Sequence, residues 1–141
     1  MILKAVSTTE DHLTMFDHKD VGIDVKKSLN FSLQHPDIRP MMSFFSENTL
    51  VFICGLSYIS EGVWEAWLIP GTNIKNFSKA TVRTMRDFTN WLLTDFDAHR
   101  LQIAVLDENV KWAEALGFQF ESIVKNYHSR KDHFMYVKVR N

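Results

Sequence analysis

Two apolar stretches, Val63-Trp-Glu-Ala-Trp-Leu-Ile69 and Leu101-Gln-Ile-Ala-Val-Leu106, flank the long segment Ser78-Lys-Ala-Thr-Val82-Arg-Thr-Met85-Arg-Asp-Phe88-Thr-Asn-Trp-Leu92-Leu-Thr-Asp-Phe96. In the long segment Val82, Met85, Phe88, Leu92 and Phe96 recur with helical period, while Arg83, Arg86, Asn90 and Thr94 supply a polar face. This predicts the longest helix of the chain, with Ser78 as its N-cap. The first flank reads as a strand ending at Pro70-Gly71. The second places Leu101, Ile103 and Val105 on one face of a strand. Strand, helix and strand in this order predict parallel pairing of the two flanks, with the helix as crossover.

Outward from this unit the elements succeed one another without a linker. Ile2–Val6 alternates as a short strand. Ser7-Thr-Thr-Glu10 matches a capping box, and a helix through Phe16 follows. Gly22 breaks the chain. Val25, Leu29 and Leu33 then mark one side of a second helix, which His35-Pro36 ends. Met41–Phe45 and Leu50–Tyr58 predict a hairpin about Ser46–Thr49. Leu50–Leu56 is apolar on both faces, as in a strand covered on both sides. Beyond Leu106, Asp107 is a cap candidate for a short helix with Val110, Ala113 and Leu116 inward. Gly117 ends that helix in the left-handed conformation. Phe118–Tyr127 and His133–Val139 close the chain as a hairpin about Ser129–Asp132. The order is β-α-α-β-β-β-α-β-α-β-β. The predicted fold is α/β in the α+β sense: a single domain over 1–141, with a mixed, mostly antiparallel sheet and helices on both faces.

Composition excludes several classes. A chain of 141 residues with 11 Phe, 4 Trp and 3 Tyr is neither disordered nor short of a core. A formal charge of -1 argues against a nucleic-acid binder. The apolar run Leu50–Leu56 is far short of the roughly 20 residues a membrane helix needs. The start, Met1-Ile-Leu-Lys-Ala-Val6, lacks the pattern of a signal peptide. The lone Cys54 fits a reducing compartment, and its mid-strand position suits a small buried hydrophobe. The expected location is therefore cytoplasmic.

Most catalytic motifs are missing. His12, His18, His35, His99, His128 and His133 form no local metal-ligand spacing, so no metal is expected. Gly55-Leu-Ser57-Tyr-Ile59 lacks the second glycine of a nucleophile elbow. No paired glycines suggest a P-loop or dinucleotide site. Two features remain. Glu65 interrupts an apolar strand between Trp64 and Trp67. It is either an outward-facing strand residue or a carboxylate in apolar surroundings, suited to act as general base. The loop Thr72–Ser78 enters the long helix with Lys75 and Lys79 beside it. It is either an ordinary helix start or an anion site built on free amides and the helix dipole.

The succession from Trp64 to Val139, with Leu116-Gly117-Phe118 after the short helix, resembles the GNAT superfamily of acyl-CoA-dependent N-acyltransferases. The resemblance implies an acetyl-CoA co-substrate and an amine acceptor, either a small molecule or a protein. It implies that strands Trp64–Ile69 and Leu101–Leu106 splay apart, with pantetheine bonded to the first. A backbone amide near Leu68–Ile69 takes the oxyanion role. The pyrophosphate falls to Lys75-Asn-Phe-Ser78-Lys79-Ala80, and Glu65 to the base. Two departures stand out. Ser78 replaces the loop glycine. Ala113 occupies the place of the tyrosine that protonates the leaving thiolate, which leaves Tyr127 as the candidate acid. In this degeneracy the chain looks like the small acetyltransferase-like proteins of tailed phages. That likeness implies an alternative: a catalytically degenerate fold serving as a phage virion or interaction module, located in the host cytoplasm or virion. Acceptor recognition falls to the helices from Thr8 to Leu33 and the last hairpin.

Overall fold

The computed structural model describes residues 3–15 and 23–140. Its elements are β1 (Lys4–Ser7), α1 (Glu10–Met15), α2 (Ile23–Gln34), β2 (Met41–Ser46), β3 (Thr49–Ser60), β4 (Val63–Pro70), α3 (Ser78–Thr94), β5 (Arg100–Val105), α4 (Val110–Ala115), β6 (Gln119–Val124) and β7 (His133–Val139). This is the predicted succession. The expectations placed on Ile2, Phe16 and Gly22 lie outside the described residues. The strands follow the sheet order β1-β2-β3-β4-β5-β7-β6. Among the described pairings only β4 with β5 is parallel, as the long intervening helix requires. That ladder pairs Val63 with Arg100, Trp64 with Leu101 and Glu65 with Gln102.

The chain divides into two compact units, Met1–Ser57 with Trp67–Thr81 and Tyr58–Ala66 with Val82–Asn141. In the first, Leu13, Leu29, Met41 and Ile53 form a core against which Val25, Leu33, Leu50, Trp67 and Ile69 pack. Val51–Leu56 is buried along its whole length, the doubly covered strand that its unbroken apolar run implied. Phe44 and Phe52 face each other across β2 and β3, with ring centroids 4.5 Å apart. Burial pushes the Cys54 thiol up to about 12. In the second unit, β5, β7 and β6 form an antiparallel ladder.

Local sequence chemistry explains most element ends and corrects four expectations. The first helix is capped by Thr9 and not by Ser7: the His12 amide donates to Thr9 Oγ1, and the Thr9 amide donates to His12 Nδ1. An imidazole thus takes the reciprocal role expected of Glu10, because Ser7 is still part of β1. Ser78 is not an N-cap. A 3-10 turn, Ile74–Phe77, runs directly into α3, Ser78 already has helical dihedrals, and its hydroxyl donates back to the Lys75 carbonyl. Asp107 lies inside a second 3-10 turn, the residues at the two N-cap positions are Leu106 and Asn109, and neither makes a side-chain capping bond. The buried face of α3 is Thr81, Met85, Thr89, Leu92 and Leu93, while Phe96 lies beyond the helix end and is exposed. Two threonines with short apolar stems thus replace larger residues on that face.

Gly117 behaves as predicted. Its φ is 92°, the Phe118 amide donates to the Ala113 carbonyl and the Gly117 amide to Glu114. These two bonds are the Schellman closure of a helix. The last hairpin is less regular than expected. β6 stops at Val124, and Tyr127 belongs to an irregular connection.

Candidate active site

Glu65 is 8% exposed, so it faces inward, and its carboxylate meets polar donors where apolar surroundings were expected. A buried carboxylate needs donors, since burying it unpaired costs far more than a hydrogen bond returns. β5 provides the first. Parallel register sets Gln102 opposite Glu65, and the Gln102 Nε2 donates to Glu65 Oε1 at 2.9 Å. Arg100 lies two positions earlier, on the same side of the strand. Its Nε donates to Gln102 Oε1 at 3.3 Å, so the amide is oriented with its nitrogen toward Glu65. Arg100 is itself held by Glu121 through two bonds of 2.7 and 2.6 Å. The register of β6 against β7 shifts between Phe120 and Ser122. Glu121 is therefore the extra, bulged residue, and a bulge re-aims the side chain it carries. The Arg100 guanidinium holds the Glu121 carboxyl below the usual carboxylate range.

The connection Lys125–Asp132 provides the other donors. Tyr127 OH donates to Glu65 Oε1 at 3.0 Å. His128 Nε2 lies 3.5 Å from Glu65 Oε2. The connection is folded on itself by the Tyr127 amide donating to the Lys131 carbonyl, the Lys131 amide to His128, and the Asn126 amide to the Asp132 carboxylate. Asn126, Ser129 and Arg130 all have positive φ, at 50°, 55° and 59°. Side-chain-bearing residues in that region cost about 1–2 kcal/mol each, and such strain clusters where a loop holds functional groups in place. His133, at the start of β7, donates from Nδ1 to the Lys131 carbonyl and packs edge-on to both Tyr127 and His128. Burial, and then the Glu65 charge and hydrogen bond, push Tyr127 up to about 12. The phenol therefore keeps its proton, aimed at Glu65.

The predicted catalytic pair Glu65 and Tyr127 is thus in direct contact. Gln102, Arg100, His128 and His133 complete the cluster and were not anticipated. The alternation of polar Arg100 and Gln102 with apolar Leu101 and Ile103 carried a trace of the first two. The histidines flank what reads as a turn, His128 just before Ser129–Asp132 and His133 at the start of the last strand, and carry no signal of their own. The predicted cofactor residues belong to the other unit. Leu68 and Ile69 are half-buried on β4, and Ile69 packs on the core of that unit. Lys75, Ser78 and Lys79 are exposed and Ala80 is half-buried. No ion pair is formed by Lys75 or Lys79 among the described residues. The described residues contain no cluster of His, Cys, Asp or Glu able to hold a metal ion, and no helix among them is long and apolar enough to cross a membrane.

By sequence, no family model and no curated protein matches the chain. By structure, it is similar to a chimera of spermidine N-acetyltransferase SpeG from Vibrio cholerae and hSSAT. The TM-score is 0.78 at 15% identity, over 99% of this chain and 96% of that one. It is also similar to the ribosomal-protein-S5-alanine acetyltransferase of Vibrio fischeri, with a TM-score of 0.66 at 17% identity, over 81% of this chain and 68% of that one. A SpeG variant from Vibrio cholerae gives 0.74 at 15% identity, over 98% and 94% of the two chains. The chain therefore has the fold of the GNAT acetyltransferases.

Proposed function

We propose that the chain transfers an acetyl group from acetyl-CoA to an amine. The observation that carries this reading is the buried Glu65 on β4, braced by Gln102 and Tyr127 and reached by an exposed histidine, in a fold shared with N-acetyltransferases. A carboxylate in this setting can serve the proton removal that frees an amine for attack, directly or through the histidine beside it. Leu68 follows Glu65 by three positions on the same strand. An amide at Leu68–Ile69 is the proposed donor to the thioester oxygen, whose developing charge it would stabilise. Lys75 and Lys79, exposed at the start of α3 and without ion-pair partners among the described residues, suit a polyanion such as the pyrophosphate. Ser78 and Ala80 complete that proposed loop.

Tyr127 is better suited to hold Glu65 than to protonate a leaving thiolate, since its proton is already donated and its acidity is weakened. The acceptors of the structural neighbours, spermidine and a ribosomal protein, set the range to be tried: a polyamine or a peptide amine. A second reading, the degenerate fold retained as a virion or interaction module, draws on one observation. Ala113 is fully buried in α4, so the place of the usual acid holds only a methyl group.

Calorimetry with acetyl-CoA, followed by thiol release with spermidine and an alanine-terminated peptide, tests the proposal. Saturable binding with acceptor-dependent thiol release is expected. No binding at about millimolar ligand, the upper end of ordinary KM values, would overturn it in favour of the module.

A further inference from the structure

Glu65 is the buried member of the cluster, and its Oε1 already accepts two hydrogen bonds. His128 is the accessible member. Its side chain is 63% exposed and its Nε2 is turned toward Glu65 Oε2 at 3.5 Å. Its Nδ1 makes no hydrogen bond to any described residue. The ring is nevertheless held in place: it packs on Tyr127 with centroids 4.2 Å apart and meets the edge of His133 at 5.5 Å. His133 is in turn anchored to the Lys131 carbonyl, and two left-handed residues, Ser129 and Arg130, bend the backbone behind His128. An exposed imidazole packed at a tilt on one ring, edge-on to another and set against a buried carboxylate is held as an oriented base must be.

We propose that His128 is the proton acceptor of this site and that Glu65 is the carboxylate that orients it. The inference rests on the acetyl-transfer reading. The groups facing the imidazole are Glu65 from β4, Tyr127 from its own segment and His133 from β7, with Arg100 acting from β5 through Gln102. In the tautomer that carries its proton on Nε2, toward Glu65, the Nδ1 lone pair is left for the substrate. An ammonium acceptor passes one proton to Nδ1, and the imidazolium is balanced by the Glu65 charge. The freed amine attacks the acyl carbon of the thioester. The N–C bond forms, the C–S bond breaks, and the second nitrogen proton goes to the departing sulfur directly or through solvent. The imidazolium then returns its proton to water. No oxidant or metal is required.

Two measurements on the full chain test this. The first needs no substrate. Ring-nitrogen chemical shifts of the isotope-labelled protein, taken where the histidines are neutral, report the tautomer. The Nε2–H form is expected to predominate at His128 in the wild type, and to give way to a mixture in Glu65→Gln. A predominant Nδ1–H form would overturn the proposal, because Nε2 would then offer Glu65 only a lone pair. The second uses thiol release. His128→Ala is expected to lower kcat by about 10²-fold or more while leaving the KM for acetyl-CoA within about twofold, and added imidazole is expected to restore part of the rate. An unchanged kcat in that variant would overturn the proposal while leaving acetyl transfer intact. Absence of acetyl-CoA binding by the wild type would instead sink the reaction, and the tautomer would still decide whether Glu65 orients His128.

Discussion

At residue scale, the decisive group is one carboxylate in an apolar strand. Its oddity is legible in the sequence, because Glu65 stands between Trp64 and Ala66 where a strand is otherwise apolar. Its direction is not, since alternation allows either face and only the partners decide. Those partners come from β5 and from the connection after β6, 37 and 62 positions away. Replacing Glu65 by Gln keeps the volume but removes the charge. Acetyl transfer should fall by about 10²-fold or more, because the charge serves proton removal either directly or by holding His128 in place, and a rate unchanged within error would exclude Glu65 from the chemistry.

Tyr127 gives a second prediction at this scale, through pH. Its phenol is held above the ordinary value of about 10, up to about 12, by burial first and then by Glu65. The folded chain therefore keeps a proton that the unfolded chain releases between those values. The stabilisation is fully present below pH 10 and is lost as pH rises through 12. Phenolate absorbance of the three tyrosines should show a step near pH 12 that disappears in Tyr127→Phe and moves down in Glu65→Gln. A Tyr127 step at the ordinary tyrosine value would show that the phenol is neither buried nor bonded to Glu65 as described.

At the scale of elements, legibility tracks how local the cause is. The α4 terminus was readable because one glycine determines it. The closing bonds run from Gly117 and Phe118 to carbonyls within the same turn. Gly117→Ala should cost about 1 kcal/mol, since φ of 92° suits only glycine and the new Cβ would sit 3.3 Å from the Lys138 side chain. Chemical denaturation should show it as a lower midpoint with unchanged slope. The α3 stripe was legible in part: Met85 and Leu92 are buried as its period requires, but Phe96 is exposed and the face is completed by Thr81 and Thr89, which an apolar count passes over. Thr89 is buried beneath Lys138, whose ammonium donates to its hydroxyl and to the Leu116 carbonyl. The segment Lys125–Asp132 was illegible for a stronger reason. Its shape depends on three non-glycine residues at positive φ, stabilised by the Asp132 carboxylate and by contacts with β4. No short-range pattern announces that.

At the scale of the whole molecule, the fold was legible because strand, long helix and strand admit one sensible pairing, and the parallel register of β4 and β5 agrees with it. Where the polyanion binds was not legible to the same degree. Helix starts are common, and Ser78 departs from the glycine the resemblance implies. The start of α3 also differs from an ordinary capped terminus, because the 3-10 turn Ile74–Phe77 feeds it continuously and Ser78 Oγ is turned back to Lys75. The attraction left for a pyrophosphate is then chiefly that of Lys75 and Lys79, both exposed. An exposed cation pair acts through a screened field, with a Debye length of about 8 Å at physiological salt. Two consequences follow together. Lys75→Glu with Lys79→Glu should weaken acetyl-CoA binding by about tenfold or more without altering the denaturation midpoint appreciably, since exposed lysines contribute little to stability. The wild-type affinity should also fall as salt is raised, and the double variant should lose most of that dependence. Calorimetric titrations at low and high ionic strength read both effects. Equal affinity in the double variant at low salt would move the polyanion away from α3, whatever the fate of the chemistry at Glu65.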